Sequence, residues 1–341
     1  MGMVQFSEPG CGASLPVFPV QISFASCGLC LNFHGVPEKN HHTAIAGSLL
    51  LVVIMWGGNN AGTKWLVAAW PPIWTGGTRF LFAGLILLAV LRFTPWLGRG
   101  QSLTPQLRRQ LWLRGGLSLA AYAVLFCWAL RLTGAAHVAL YLGASPIWAL
   151  LVERFPERDW SSVRRYGAAL LAVSGVAVLF WPALKAGSFN LAGETCGLLS
   201  SLLWANYNHQ SRILDQHIRG VEVAANAMWM SGVWLLPLGL GEIILHHGLR
   251  LDLAHVSVQA LSILFGGVVP YALWNSALRH WQTSRVMLFN NLIPLTTTIW
   301  AYYILGEPLT PTFCLAMLLI VAGVALGQVD WSRIFREPES F

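Results

Sequence analysis

The chain has 341 residues, of which 55% are apolar and 10% are charged, and its formal net charge is +7. Soluble domains carry about 25% charged residues, so this composition excludes an ordinary soluble domain. Nucleic-acid binding needs a basic face on a soluble domain, whereas the basic residues here lie between long apolar runs. Because these runs are about 20 residues long, the length that crosses a bilayer, the sequence predicts a multi-pass membrane protein.

Residues 1–40 differ in composition from the rest of the chain. They contain four prolines and three cysteines, and no Lys or Arg precedes Lys39. A secretory signal needs a basic start and a continuous apolar run, and both are missing. Cys27 and Cys30 are spaced like half of a zinc site, but no second pair follows. We therefore predict a disordered leader, or a mis-assigned start with the true initiator near Val36.

The rest of the chain predicts an all-α integral membrane protein with ten transmembrane helices. Only helices and closed barrels satisfy every backbone hydrogen bond in lipid, and the alternation typical of barrel strands is absent. The predicted spans are residues 44–64, 71–91, 112–131, 134–153, 163–181, 192–212, 223–245, 257–278, 284–304 and 311–328.

One stretch of the sequence occurs twice. Residues 129–177 align with residues 277–325 at an offset of 148 residues without a net gap. The chain therefore consists of two copies of one unit, residues 41–183 and 190–329, followed by a cytoplasmic tail, residues 330–341. Matches at this offset include Arg131/Arg279, Pro146/Pro294, Gly175/Gly323, Trp56/Trp204 and Asn60/Asn208.

The basic residues predict the orientation of the chain. Most of the 21 Lys and Arg residues fall on one side of the predicted spans, in segments such as 92–114 and 154–165. The positive-inside rule places these segments and both termini in the cytoplasm, with the spans in the plasma (inner) membrane. Because each unit has five spans, the second copy crosses the membrane in the opposite sense. Inverted repeats are typical of secondary transporters, which bind substrate near mid-membrane at the repeat interface.

Short motifs occur in register with these spans, including Trp-Gly-x-Asn in the first span and Ala-Leu-x-x-Thr between the third and fourth. The motif residues are Trp56–Asn60, Pro72 with Arg79, Ala129–Thr133, Pro146 with Pro294, Gly306-Glu307, Gly175-Val176 and Gly323-Val324. With these motifs, residues 44–328 resemble the EamA branch of the drug/metabolite transporter superfamily. The resemblance implies two five-helix repeats and export of amino acids, metabolites or drugs. The first copy departs from the pattern with Pro156-Glu157-Arg158 in place of the Gly-Glu turn.

Polar and aromatic side chains inside the predicted spans are candidates for a substrate cavity, because polar groups are costly in lipid. Asn59 and Asn60 follow Trp56 in the first span, and the repeat predicts that Asn208 faces the same cavity. The alternative is that such side chains only hold helices together. The candidates are Trp56, Asn59, Asn60, Arg79, Tyr122, Tyr141, Trp204, Tyr207, Asn208, Tyr271, Trp274, Asn275, Asn290 and Asn291.

Arg79 lies near mid-depth in the second span, where an arginine must be paired or hydrated. It could clamp a substrate carboxylate through two hydrogen bonds. It could equally pair with helix-end carbonyls or with Glu194 or Glu242, and the sequence leaves both interpretations open. Pro146 and Pro294 each remove one backbone hydrogen bond in mid-membrane, and we interpret them as hinges or as packing kinks.

The sequence therefore predicts a secondary transporter that exports small organic metabolites, such as amino acids or drugs, by alternating access. Direct use of ATP is not expected, because a GxxxxGK[ST] motif is missing. The alternative is a channel or a membrane scaffold. An intramembrane enzyme is less supported, since His41-His42 and His246-His247 lack metal-ligand spacing. We expect no cofactor, no metal and no nucleic acid. The expected partners are a small-molecule substrate and the lipid bilayer, and a homodimer is left open.

Overall fold

The computed structural model describes residues 38–95, 97, 100–143, 145, 148, 160–185, 190–245, 249–306 and 311–328. Within these residues, all regular secondary structure is helical. The predicted leader up to residue 37, the predicted tail 330–341 and the candidate hinge Pro146 lie outside the described residues.

Two helices in the first half of the chain begin at a proline or a polar cap. Thr104 caps the third helix, because its hydroxyl accepts a hydrogen bond from the N–H of Leu107 at 3.3 Å, and Pro105 takes the first helical position. One π-helical turn, Leu111–Gly116, lies inside the same helix. The described helices are α1 (Glu38–Ala69), α2 (Pro72–Phe93), α3 (Pro105–Leu132), α4 (Ala135–Gly143) and α5 (Trp160–Lys185).

The second half repeats this order with the same kinds of caps. Asn190 accepts from the N–H of Gly193 at 3.1 Å, and Asp252 accepts from the N–H of His255 at 3.0 Å. A π-helical turn, Ser262–Val268, interrupts the eighth helix. The described helices are α6 (Leu191–Leu214), α7 (Gly220–Leu245), α8 (Leu253–His280), α9 (Thr283–Met287, a 3-10 stretch Leu288–Leu292, and Ile293–Leu305) and α10 (Pro311–Gln328).

Some helices extend beyond the predicted spans. The span predicted to begin at residue 112 belongs to a helix that starts at Pro105, and the one predicted to end at residue 181 runs to Lys185. Polar caps and helix ends outside the lipid stabilise helical backbone without raising hydropathy. Hydropathy alone therefore underestimates the length of these helices.

Several described helices are suited to a membrane by length and composition. Five of them are long and apolar enough to cross it, which agrees with a multi-pass membrane protein. The arrangement of ten spans in two inverted units stays a prediction. The five helical segments are His42–Ala69, Pro72–Phe93, Pro105–Leu132, Gly220–Leu245 and Leu253–His280.

Helices α2 and α7 pack against each other through glycines. A Cβ added at Gly84 would clash with the backbone of Trp229, and a Cβ added at Gly232 would clash with Leu81. The residue numbers therefore rise along α2 as those of the partners fall along α7. These two helices run antiparallel in close contact.

Polar side chains are buried inside the bundle, whereas large apolar side chains are exposed on its outside. Arg79 and Asn60 are buried, whereas Leu51, Ile54 and Leu85 are exposed. Helix α3 packs on α6, α1 packs on α8 and α9, and α5 packs on α10. An apolar exterior with buried polar side chains suits helices that are surrounded by lipid. The buried polar residues lie between the two halves of the chain.

Candidate functional site

A small cavity lies between the two halves of the chain, with walls from α1, α2, α3, α4, α6, α8 and α9. Its volume is about 20 Å³, which is room for about one water molecule. The wall combines predicted residues with three that were not predicted. The predicted ones are Trp56, Asn59, Asn60, Arg79, Tyr122, Trp204 and Tyr271, and the others are Leu142, Gly266 and Ile293.

Aromatic rings form one wall of the cavity. Trp56 and Trp204, which are equivalent positions of the two repeats, meet edge to face with ring centroids 5.3 Å apart. Tyr271 packs on Trp56 at 5.6 Å, and Tyr122 lies 5.2 Å from Trp204. The indole N–H of Trp56 donates to the carbonyl oxygen of Gly266 at 3.1 Å, which fixes the ring. This wall offers a substrate apolar area and ring faces.

Arg79 brings a buried positive charge to the cavity, and only 2% of the residue is exposed. Its Nη1 donates to Asn59 Oδ1 at 3.4 Å and to Thr63 Oγ1 at 3.3 Å, while its Nε lacks a hydrogen-bond partner. The guanidinium carbon lies 4.7 Å from the ring centroid of Phe80 and 5.5 Å from that of Phe126. The described residues form no salt bridge with it. A cation held by neutral oxygens and ring faces retains the capacity to bind an anion.

The two glutamates considered as partners of Arg79 bind other groups. Oε2 of Glu242 accepts from the N–H of Ile73 at 2.7 Å, so this carboxylate stabilises the start of α2. Oε2 of Glu194 accepts from the hydroxyl of Tyr141 at 2.7 Å. Tyr141, a predicted cavity residue, is therefore bonded to Glu194 and does not line the cavity.

Asn59 is the main acceptor next to Arg79. Its Oδ1 also accepts from Ser262 Oγ at 2.7 Å and from Thr63 Oγ1 at 3.5 Å. Gly266 lies so close that an added Cβ would clash with the Asn59 amide. Thr63, Ser262 and Gly266 were not predicted from the sequence. The spacing of four between Asn59 and Thr63 places both on one helix face and could have indicated Thr63.

The equivalent residues Asn60 and Asn208 have different environments. Asn60 lines the cavity and donates from Nδ2 to Thr297 Oγ1 at 3.1 Å. Asn208 is fully buried, donates to the carbonyl oxygen of Trp204 at 2.6 Å, and accepts a hydrogen bond from the indole N–H of Trp274. The second copy therefore uses this position for packing.

The remaining predicted polar residues lie outside the cavity wall. Asn275 donates to the hydroxyl of Tyr207 at 3.5 Å, and both side chains are buried. Asn290 donates to Ser145 Oγ at 2.9 Å. Asn291 is buried, and neither polar atom of its side chain has a hydrogen-bond partner.

A buried cation and an aromatic wall in the middle of an apolar helix bundle are features of a membrane transport protein. Among the described residues, no group of three or more His, Cys, Asp or Glu side chains could hold a metal ion. A sequence model of the EamA-like transporter family matches residues 44–181 and 191–327. The chain belongs to this family, which confirms the resemblance, and it is a transporter rather than an enzyme.

Known relatives cover most of the chain. A probable amino-acid metabolite efflux pump of Salmonella typhimurium is 25% identical over 289 residues, which are 82% of this chain and 92% of that protein. A probable terminal-alkyne amino-acid exporter of Streptantibioticus cattleyicolor is 26% identical over 219 residues, 63% of this chain and 71% of that protein. A crystal structure described only as that of a protein has a TM-score of 0.65 at 16% identity and covers 86% of this chain and 99% of that chain. This last similarity shows a shared fold.

Proposed function

We propose that the chain exports small organic molecules that carry a carboxylate, such as amino acids, by alternating access between two inverted five-helix repeats. The membrane is the plasma (inner) membrane, and both termini are cytoplasmic. The observation that carries the proposal is Arg79, a buried guanidinium in the central cavity that forms no salt bridge with a described residue. A carboxylate offers two oxygens in the geometry that a guanidinium binds. Two relatives named as amino-acid exporters support this substrate class.

Contacts between equivalent helices support the inverted arrangement. At the offset of 148 residues, Gly84 is equivalent to Gly232, and Leu81 is equivalent to Trp229. Gly84 meets Trp229 and Gly232 meets Leu81, so each contact is the exchanged copy of the other. Equivalent helices that touch in this way run antiparallel, which supports repeats that cross the membrane in opposite senses.

A second pair of equivalent contacts supports the same arrangement. Nζ of Lys64 in α1 donates to the carbonyl oxygen of Thr133 at the end of α3, at 2.7 Å. Nη1 of the equivalent Arg212 in α6 donates to the carbonyl oxygen of Trp281 at the end of α8, at 2.6 Å. Trp281 is also equivalent to Thr133. In an inverted repeat these two contacts lie at opposite membrane faces, with the Arg212 contact at the cytoplasmic face.

The cavity has to enlarge before it can hold a substrate. Small-molecule sites have volumes of about 300–1,000 Å³, far above the 20 Å³ observed here. Beside it, Trp274 and Tyr207 are fully buried and close the space between α6 and α8. Pro294 follows a 3-10 stretch in α9 and supplies a point at which that helix can bend. Substrate binding therefore requires a rearrangement, as alternating access does.

Counterflow of labelled amino acids into proteoliposomes tests the proposal. We expect saturable counterflow with the unchanged protein, loss of it in Arg79→Gln, and partial retention in Arg79→Lys, which keeps the charge but not the two-pronged geometry. Arg114→Gln removes an exposed arginine and serves as the control. Non-saturable flux that is indifferent to Arg79 would indicate a channel. No flux of any compound from correctly folded protein would indicate a scaffold.

A further inference from the structure

Asn290 and Asn291 in α9 are completely buried, with 0% exposure each, and have polar atoms without partners. Nδ2 of Asn290 donates to Ser145 Oγ at 2.9 Å, but its Oδ1 has no hydrogen-bond partner in the described part of the chain. Neither Oδ1 nor Nδ2 of Asn291 is hydrogen-bonded to any residue that the structure describes. Buried polar groups are almost always bonded, and the requirement is stricter in a bundle that lipid surrounds. Two amide oxygens and one amide nitrogen on consecutive residues therefore lack a partner among the described residues.

The backbone leaves α-helical geometry at the same place. A 3-10 stretch, Leu288–Leu292, separates the first turn of α9 from its main part. Pro294 has no N–H for the carbonyl oxygen of Asn290, and the N–H of Ile293 donates to that oxygen instead. Helix interruptions near mid-membrane are where secondary transporters commonly bind substrates and ions. The break therefore places the two amides in a backbone setting suited to a ligand.

Asn290 lies next to the cavity, and Asn291 follows it directly in the chain. Asn290 contacts Ser145, and the same two helices contribute Ile293 and Leu142 to the cavity wall, three residues away in each case. At the repeat offset Asn290 is equivalent to Leu142, and Ser145 is equivalent to Ile293. The Asn290–Ser145 pair is therefore equivalent, by the repeat, to the Leu142–Ile293 pair that lines the cavity. The two pairs lie about one helical turn apart.

Helix packing does not require amides at these positions. The equivalents of Asn290 and Asn291 in the first repeat are Leu142 and Gly143, which have no polar side-chain atom. An asparagine that joins helices uses its amide in hydrogen bonds, whereas the amide of Asn291 has none. These observations favour binding of a ligand by the two amides over a role in joining helices.

We propose that Asn290 and Asn291 form an acceptor subsite for the ammonium group of the substrate. This inference rests on the proposed function, in which the substrate carboxylate binds Arg79, and it narrows the substrates to zwitterions of the amino-acid type. An ammonium group has three N–H donors and matches the amide oxygens. A free cation fits less well, because Arg79 lines the adjacent cavity and repels it. A zwitterion brings its own carboxylate to that arginine.

The test compares matched compounds in proteoliposomes that contain the full-length protein. The compounds are the twenty proteinogenic L-amino acids and the 2-hydroxy acids with the same side chains. For the best amino acid, we expect kcat/KM to be at least about tenfold higher than for its 2-hydroxy acid, as the loss of a hydrogen bond to a charged group implies. Asn291→Leu should remove this preference. Asn226→Leu, at a buried asparagine of α7 outside the cavity wall, should retain it.

Thermal stability separates the ligand role from a structural one. Leu has nearly the shape of Asn and removes the unbonded amide, so the melting temperature of Asn291→Leu should be unchanged or higher. A lower melting temperature with an unchanged preference would overturn the inference. Failure to transport any of the twenty amino acids would also overturn the inference. The third contrary result would be that replacing Na⁺ by choline stops transport by the unchanged protein but not by Asn291→Leu, which would assign the asparagines to Na⁺. Arg79→Gln tests the proposed function separately, because this variant should reduce the transport of amino acids and of 2-hydroxy acids alike.

Discussion

Replacing Asn59 by Asp tests the charge of the cavity with almost no change of shape. Oδ1 of Asn59 lies 3.4 Å from Nη1 of Arg79, so the carboxylate of Asn59→Asp would form an ion pair with the guanidinium. The protein itself would then neutralise the charge that we assign to substrate binding. Anionic and zwitterionic substrates should lose affinity, while the fold should be retained.

The distance sets the scale of the effect. For unit charges 3.4 Å apart, Coulomb's law gives about 5 kcal/mol at an effective dielectric constant of about 20, before desolvation of the carboxylate is subtracted. Hydrogen bonds to charged groups contribute about 1.5–3 kcal/mol net. A substrate carboxylate that competes with Asp should therefore bind about 10- to 100-fold more weakly. Because Arg79 gains a partner, the melting temperature should rise.

Counterflow in proteoliposomes gives KM, and thermal unfolding in detergent gives the melting temperature. Asn226→Asp is the matched control, since it adds the same charge at a buried asparagine outside the cavity wall. A higher melting temperature together with an unchanged KM would refute the reasoning. It would show that the ion pair forms and that the substrate does not use Arg79.

Three further predictions concern packing, pH and topology. Gly84→Leu should prevent folding, because even a Cβ there would clash with α7, whereas Gly47→Leu has open space and should give a normal size-exclusion profile; two equal profiles would contradict the α2–α7 contact. Burial raises the pKa of Asp215, at the end of α6, to about 6 from 3.8. The folded state therefore binds this proton more tightly, so the stability from Asp215 is present below about pH 4 and is lost as the pH rises to about 6. Asp215→Asn should raise the free energy of unfolding at pH 7 by up to about 3 kcal/mol and have little effect at pH 4, and equal melting curves at both pH values would contradict this. In a cysteine-free background, an impermeant maleimide should label Leu251→Cys in intact cells and Arg109→Cys only after permeabilisation. The same labelling of both positions in intact cells would contradict the inverted topology, and the opposite pattern would contradict the cytoplasmic placement of the termini.

The sequence predicted the cavity residues that follow from the repeat or from a polar side chain deep in a span. The offset of 148 residues made Trp56 and Trp204 equivalent, and the structure brings their rings to 5.3 Å. In the proposed inverted arrangement, equivalent residues can touch only near the axis that relates the two repeats, so an aromatic residue deep in the first helix of each repeat predicts such a contact. Asn59 and Arg79 were predicted from the cost of polar groups in lipid, which depends on depth alone.

Other residues of the site depend on how distant helices face each other. Ser262 and Gly266 of α8 reach Asn59 because that helix presents one particular face to α1. No local pattern in the sequence predicts how α8 is rotated about its own axis relative to α1. That rotation follows from side-chain packing along the whole helix. For the same reason, the equivalence of Asn60 and Asn208 predicted two cavity residues, whereas Asn208 is enclosed by Trp274.

The two repeats have the same order of helices but different side chains at the positions that form the site. The positions equivalent to Asn59 and Arg79 are Tyr207 and Ala227, so the second copy has neither the charge nor its acceptor. Tyr207 and Trp274 instead fill that half with buried rings. Alternating access, as proposed here, needs two states of similar free energy, and the proposed inverted relation of the two units would supply them. Binding is needed only once, near the axis, where one arginine can be reached from both sides. In the proposed mechanism, duplication accounts for the motion, and divergence between the copies accounts for the charge at Arg79 in the first copy alone.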